Sequence, residues 1–348
     1  MSEIPSVDSE SARPADGLPE HLPPVEPPSA GFIVQLFLVP AVIVAVVIGV
    51  YLLFGRMAAG DTDWRQLVSD IKSDNSNIRW RAALNLAEAL DAEGRRPAKQ
   101  GRSLAEIPEI AGALNDLTLQ QLQIRTPNDE QQQQLQFLLK ALGRTDVIDA
   151  IWPALQEALS PSQPTETRKQ ALQAIAMIAG RRRERQQSLD SPQVLDALFD
   201  AAAEGEPVLR LHAAFALGLI PGGRSELQLT RMLEDPDSKT RINAAIGLAR
   251  ASSLGGLPVF RDAVRDALAW AREDVSQTTG DRAFEQQLIL RNTVQALQQL
   301  APKMPTDERR EFASQLQELE EAVRDTGLRL QIKEARLELE QSPAGESA

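Results

Sequence analysis

The chain of 348 residues contains no cysteine, only two histidines and a single tyrosine. Without cysteine there are no disulfides, thiolate zinc sites, iron–sulfur clusters or thiol nucleophiles. His21 and His212 lie far apart in the sequence, on opposite sides of the long apolar run described below. A histidine-based metal site within one chain therefore has no basis, and Ser–His catalysis would rest on His212 alone. Aromatic residues make up 4% of the chain, so stacking platforms for single-stranded bases are scarce. A phosphate-cradling Gly-x-x-x-x-Gly-Lys-Ser/Thr loop is absent. No cofactor is expected.

Basic charge is also in deficit, with a net −12 that is unevenly placed. Residues 1–30 carry −5 and residues 306–348 another −5, which leaves −2 for the whole body between them. The low isoelectric point thus belongs to the ends, and the body is nearly neutral. This speaks against a general nucleic-acid binder without excluding local basic patches.

Charge is missing altogether from Gly31 to Phe54, GFIVQLFLVPAVIVAVVIGVYLLF, whose one strongly polar side chain is Gln35. As a helix rising about 1.5 Å per residue this stretch would reach roughly 36 Å, enough to cross a hydrocarbon core of about 30 Å with tilt. Pro40 is tolerated in a membrane helix. The run predicts one transmembrane helix over 31–54. A cleaved signal peptide fits less well, because the preceding region is acidic and long. Arg56, Arg65 and Lys72 follow the run closely and only Arg13 precedes it, so the positive-inside rule places the C-terminal part in the cytoplasm. Residues 1–30, with the run PEHLPPVEPPSAG, read as a disordered acidic Pro-rich tail, 55–61 as a tether and 342–348 as a disordered end.

What the rest of the chain has is a repeat. IRWRAALNLA (78–87), TRKQALQAIA (167–176), LRLHAAFALG (209–218) and TRINAAIGLA (240–249) share Arg at the second place. Each then has two small or apolar residues at the fifth and sixth places and an apolar residue at the ninth, with a small or apolar residue at the eighth in all but the first copy, where Asn85 stands. Weaker copies, LQFLLKALG (135–143) and LRNTVQALQ (290–298), keep the apolar spacing. An amphipathic segment precedes each copy: Trp64–Ile71, Ile107–Leu122, Val147–Leu159, Val194–Ala203, Leu227–Leu233 and Pro258–Trp270. The unit is a helical hairpin of about 40 residues, a period that signals a solenoid. The expected fold is all-α: a solenoid of about six such hairpins over 62–305, preceded by the transmembrane helix. Residues 306–341 read as charged helices with seams at Phe312, Leu316, Leu319 and Val323, then Leu328, Ile332, Ala335 and Leu339. They either cap the stack or form a coiled coil for self-association.

The pattern Arg-x-x-Ala-Ala-x-x-Leu with an acid a few positions earlier resembles the second helix of HEAT-type repeats, over roughly 62–303. That resemblance implies binding in general rather than a particular ligand. It also implies an acid–arginine ladder between units, for which the candidates by position are Asp74 with Arg79, Glu206 with Arg210 and Asp237 with Arg241. Enzymes of this architecture that hydroxylate with a metal resemble each other in His-Glu pairs, and His212 is followed by Ala213. Trp64, Trp80, Trp152 and Trp270 are spread over different units and read as packing residues.

Charge alternates between the turns. Those after second helices are basic, including Arg95, Arg96, Lys99, Arg102, Arg144, Arg181, Arg182, Arg183, Arg185, Arg224, Arg250 and Lys303. Those within hairpins are acidic, including Asp74, Asp129, Glu130, Glu166, Glu204, Glu206, Asp235, Asp237, Glu273, Asp274 and Asp281. In an antiparallel hairpin stack these sets fall on opposite edges. The basic edge, nearest the membrane run through its short tether, is expected to rest on anionic lipid. The expected function is a single-pass membrane scaffold or adaptor that binds proteins. A nucleic-acid-binding repeat protein and a HEAT-like enzyme are the alternatives.

Overall fold

In the computed structural model the described residues are 30–58, 63–94, 103–189, 191–272 and 280–341. They are helical throughout, with short 3-10 turns and no strand among the described residues. Two units are distinguished, Met1–Thr62 and Asp63–Ala348.

The first unit holds α1 (Ala30–Ala58), which runs through Pro40 without a break. Its side chains are described over residues 38–51, and all of these are exposed, Val47 and Ile43 among them. Among the described residues no helix is long and apolar enough to cross a membrane.

The second unit is a stack of seven helical hairpins among the described residues. They are α2/α3 (Trp64–Ile71, Ser76–Gly94), α4/α5 (Pro108–Leu122, Asp129–Leu142), α6/α7 (Ile148–Leu159, Thr165–Glu184), α8/α9 (Pro192–Ala202, Pro207–Leu217), α10/α11 (Gly223–Met232, Ser238–Arg250), α12/α13 (Leu257–Arg272, Gly280–Leu300) and α14/α15 (Thr306–Ala322, Thr326–Gln341). Local chemistry sets the helix starts. Asn128 and Gln131 form a reciprocal capping box at α5, and Asp237 accepts from the Thr240 amide at α11. Proline, which has no amide hydrogen to orphan, opens α4, α8 and α9.

Packing follows the repeat. Each second helix touches the next, from α3 through α5, α7, α9, α11 and α13 to α15. First helices form a second layer through α2, α4 and α6, with further contacts between α8 and α10 and between α12 and α14. The residue pairs singled out in the repeat are buried: Ala82 and Ala83, Ala171 and Leu172, Ala213 and Ala214, Ala244 and Ala245. Small side chains let the second helices approach closely, and Leu86, Ile175, Leu217 and Leu248 fill the core between layers.

The segment 306–341 is itself the last hairpin, with α14 against α12 and α15 against α13. Both apolar seams, Phe312 to Val323 and Leu328 to Leu339, are buried in this contact. They are therefore consumed within the chain rather than offered to a second copy. The break between the two helices falls at 323–325, ahead of Gly327, where the Asp325 carboxylate accepts from the Leu328 amide at 2.7 Å.

Candidate binding surface

Three surfaces of the hairpin stack carry the polar residues, and each has a different chemistry. The first is the edge formed by the turns inside hairpins. Here the arginine at the second place of the repeat folds back onto backbone carbonyls of the turn that follows the first helix. Arg79 reaches Ser73 O at 2.9 Å, Arg210 reaches Glu204 O and Gly205 O at 3.0 and 2.9 Å, and Arg241 reaches Asp235 O at 2.7 Å. Arg329 does the same to Val323 O, at 2.6 Å from Nη2, and so marks α15 as a further repeat.

The ladder between units uses different acids from those expected. Arg168 meets Glu204 of the next hairpin, and Arg210 grips Asp235 with two bonds of 2.7 and 3.0 Å. Glu206 instead stands at the N-cap of α9, and Asp237 is occupied by the amide and hydroxyl of Thr240. The Arg210 and Asp235 side chains are only 12% and 8% exposed. Burial works to raise the Asp235 carboxyl, but Arg210 and the Asp237 amide outweigh it and the net direction is downward. The paired Arg210 is pushed up by its bond to Asp235.

The second surface is the opposite edge. Arg95, Arg96, Lys99 and Arg102 lie outside the described residues. Arg181, Arg182 and Arg183 are not in a loop but in the last turn of α7, with Arg185 just beyond. Arg181 donates to Gly143 O at 2.5 Å and Thr145 O at 2.7 Å, satisfying carbonyls just past the end of α5. Burial holds its pKa below the usual arginine value. Arg182 and Arg185 share Asp146 at 2.6 and 3.2 Å, Arg144 takes Asp91, and Arg224 takes Asp196. The basic edge is thus largely neutralised by Asp91, Asp146 and Asp196. The acidic turns give no sign of these partners, because the three aspartates sit within or between helices instead.

The third surface is the outer face of the second helices. Lys169 and Glu166 pair at 2.6 Å on α7, and this bond holds Glu166 below its usual range. Gln173 of α7 meets His212 Nε2 of α9 at 3.0 Å, while His212 Nδ1 lies 2.7 Å from Val208 O. The ring hydrogen is therefore assigned to Nδ1, which leaves Nε2 to accept from the Gln173 amide. Burial pushes the His212 pKa down, against a smaller upward pull from Val208 O. Asn243 of α11 donates to Leu211 O at 3.3 Å. The second helices also carry exposed apolar side chains: Leu84 on α3, Phe215 on α9, Phe284 and Leu288 on α13 and Leu330 on α15. Trp64, Trp80 and Trp152 pack against the core. Among the described residues no group of three or more His, Asp or Glu side chains is placed to hold a metal ion.

The family described as HEAT repeats matches residues 195–280, from within α8 to the start of α13. No curated protein matches the chain. Among solved structures, YibA of E. coli is 14% identical with a TM-score of 0.41, covering 84% of this chain and 97% of that one. The CpcE–CpcF complex of phycocyanin lyase from Nostoc sp. PCC7120 is 15% identical with a TM-score of 0.39, covering 80% and 95%. Kap121p bound to Pho4p is 13% identical with a TM-score of 0.44, covering 79% and 29%.

Proposed function

We propose that this protein of HEAT-type repeats is a membrane-anchored scaffold that binds other proteins through the outer face of its second helices, and that its role is binding rather than catalysis. The observation that carries the reading is the division of labour among side chains. Arginines and acids at the two edges are largely spent on the chain's own carbonyls and on one another, whereas Leu84, Phe215, Phe284, Leu288 and Leu330 stand exposed on second helices of four different hairpins. Scattered exposed apolar groups framed by polar ones are what an extended protein interface needs, with aromatic anchors supplying most of the energy.

Anchoring is the second part of the proposal. It rests on the sequence, through the uncharged run from Gly31 to Phe54, because no helix among the described residues is long and apolar enough to cross a membrane; the exposure of the described α1 side chains over 38–51 agrees with it. Apolar side chains exposed all round a helix suit lipid rather than water. The flanking charges orient the repeat domain toward the cytoplasm.

Affinity capture of the full-length protein from native membranes in mild detergent, beside a version lacking 31–54, tests both parts. A stoichiometric protein partner retained by both versions, with only the full-length chain staying in carbonate-washed membranes, is the expected result. Capture of no protein partner by either version would sink the scaffold reading. Release of the full-length chain by carbonate would sink the anchor.

A further inference from the structure

We infer that Arg183 and Arg250, at the shared end of α7 and α11, form a docking point for a carboxylate borne by an acidic segment of a protein partner. The inference rests on the protein-binding reading above and names the chemistry that such a partner would bring. It begins from an imbalance at the arginine edge. Arg144, Arg182, Arg185 and Arg224 each meet a carboxylate, and Arg181 is held by two carbonyls. Among the described residues Arg183 and Arg250 meet no carboxylate. Arg183 spends one donor, Nη2, on the Arg250 carbonyl at 3.0 Å, a bond that ties the end of α7 to the end of α11. The Arg250 guanidinium stands 5.8 Å from the ring centroid of Phe215, and its Nη1 is buried without an acceptor. Gly218 leaves room for it, since a Cβ there would come within 3.3 Å of that nitrogen.

Two half-buried cations side by side, with donors unfilled, are unfavourable until an anion joins them. Burial, and then the nearby Arg183, both push the Arg250 pKa down. A carboxylate would take the guanidinium donors other than the buried Nη1 with charge-assisted bonds and cancel the repulsion. Phe215, 39% exposed beside Arg250, offers the apolar contact that turns such a point into an interface anchor. A lipid surface fits less well. Membrane attraction accrues with each unpaired basic residue, and most neighbouring arginines are already neutralised, so what remains is a point of two charges rather than a patch.

The test measures fluorescence anisotropy of a labelled hexaglutamate peptide with the full-length protein in non-ionic detergent, with hexalysine as the control. Wild type is expected to bind hexaglutamate saturably and not hexalysine. Arg183→Gln with Arg250→Gln should weaken binding at least tenfold, whereas Arg265→Gln, an exposed arginine paired on its own helix, should not. Arg250→Gln alone removes no hydrogen bond of the guanidinium, only its packing on Phe215 and Gly218, so it should lower the melting temperature less than the double variant while still weakening binding several-fold. Absence of hexaglutamate binding by wild type, or equal binding by the double variant, overturns the proposal. Arginine-dependent binding to phosphatidylserine vesicles without hexaglutamate binding also overturns it, in favour of lipid. If the double variant still captures the membrane partner while wild type ignores hexaglutamate, the scaffold reading stands and this docking point alone falls.

Discussion

The pair Arg210–Asp235 shows what a repeat asks of a single residue. Both side chains are almost enclosed, and Arg210 fastens two turns at once, through the Glu204 and Gly205 carbonyls of its own hairpin and the Asp235 carboxylate of the next. Arg210→Ala would leave that buried carboxylate with the Asp237 amide but no cation, so a loss of about 3 kcal/mol, the lower end for breaking a buried pair, is expected in urea unfolding. The pair also fixes a pH dependence. The folded pKa of Asp235 is depressed, so its contribution is fully present above the unfolded value of about 4 and fades as pH falls through the folded value. The stability gap between wild type and Asp235→Asn should therefore narrow on acidification below about pH 4. A gap constant across that range would show that the carboxylate contributes nothing as an anion. Two further residues carry backbone strain: Gln186 at φ 58° and Ser252 at φ 64° close α7 and α11 in the left-handed region. Gln186→Gly and Ser252→Gly should each raise stability by about 0.5–1 kcal/mol, since glycine adopts that region freely. At this scale the place of each arginine was legible from the repeat, but its partner was not. Glu206 is nearer to Arg210 in sequence than Asp235 is, yet the guanidinium reaches across to the neighbouring hairpin, and sequence separation carries no information about that reach.

Helices were more legible than side-chain partners because their signal is summed over many positions. The amphipathic segments Trp64–Ile71 and Val147–Leu159 reappear as α2 and α6 with ends shifted by no more than one residue. The helices of 306–341 were legible as a cap over the last repeat, and α14 and α15 do cover α12 and α13; that they form one more hairpin of the repeat was not, since α15 keeps the repeat's Arg329 but has Lys333 where an apolar residue stands in the other copies. The seams of α14 and α15 looked like a cap or coiled coil because one helix read alone does not reveal which neighbour will cover it. Crossings between second helices were equally hidden, and they make a sharp prediction. A Cβ at Gly218 would meet the Gly247 Cα at 2.7 Å, whereas at Gly180 the nearest atom is a flexible Leu219 methyl at 3.9 Å. Gly218→Ala should force α9 and α11 apart and destabilise by about 1–3 kcal/mol. Gly180→Ala, inside α7, should stabilise by up to about 1 kcal/mol through helix propensity. Opposite signs in thermal melts would support the close approach, and matching signs would refute it.

Across the repeat domain, stability is distributed along one dimension. Each hairpin touches mainly its neighbours, and the buried side chains separate into two clusters that divide at α11. Ala244 and Leu248 of that helix belong to the cluster reaching back to α2, while Ala245, Ile246 and Ala249 belong to the cluster reaching on to α15. In such a stack a lesion weakens its own unit and the interfaces it makes, and its effect declines with distance. Phe312, fully buried in α14, belongs to the second cluster. Phe312→Ala should remove about 3–5 kcal/mol locally. Hydrogen exchange followed by mass spectrometry would then show faster exchange in α12 to α15 and unchanged protection in α4 to α7, because the two regions share no core residue. Leu142→Ala, in the first cluster, should give the reverse pattern. Uniform acceleration after either substitution would mean that the hairpins unfold as one cooperative body. The exposed surface on α9 and that on α13 would then have to move together, and a partner bound at one would stabilise the other to the same extent.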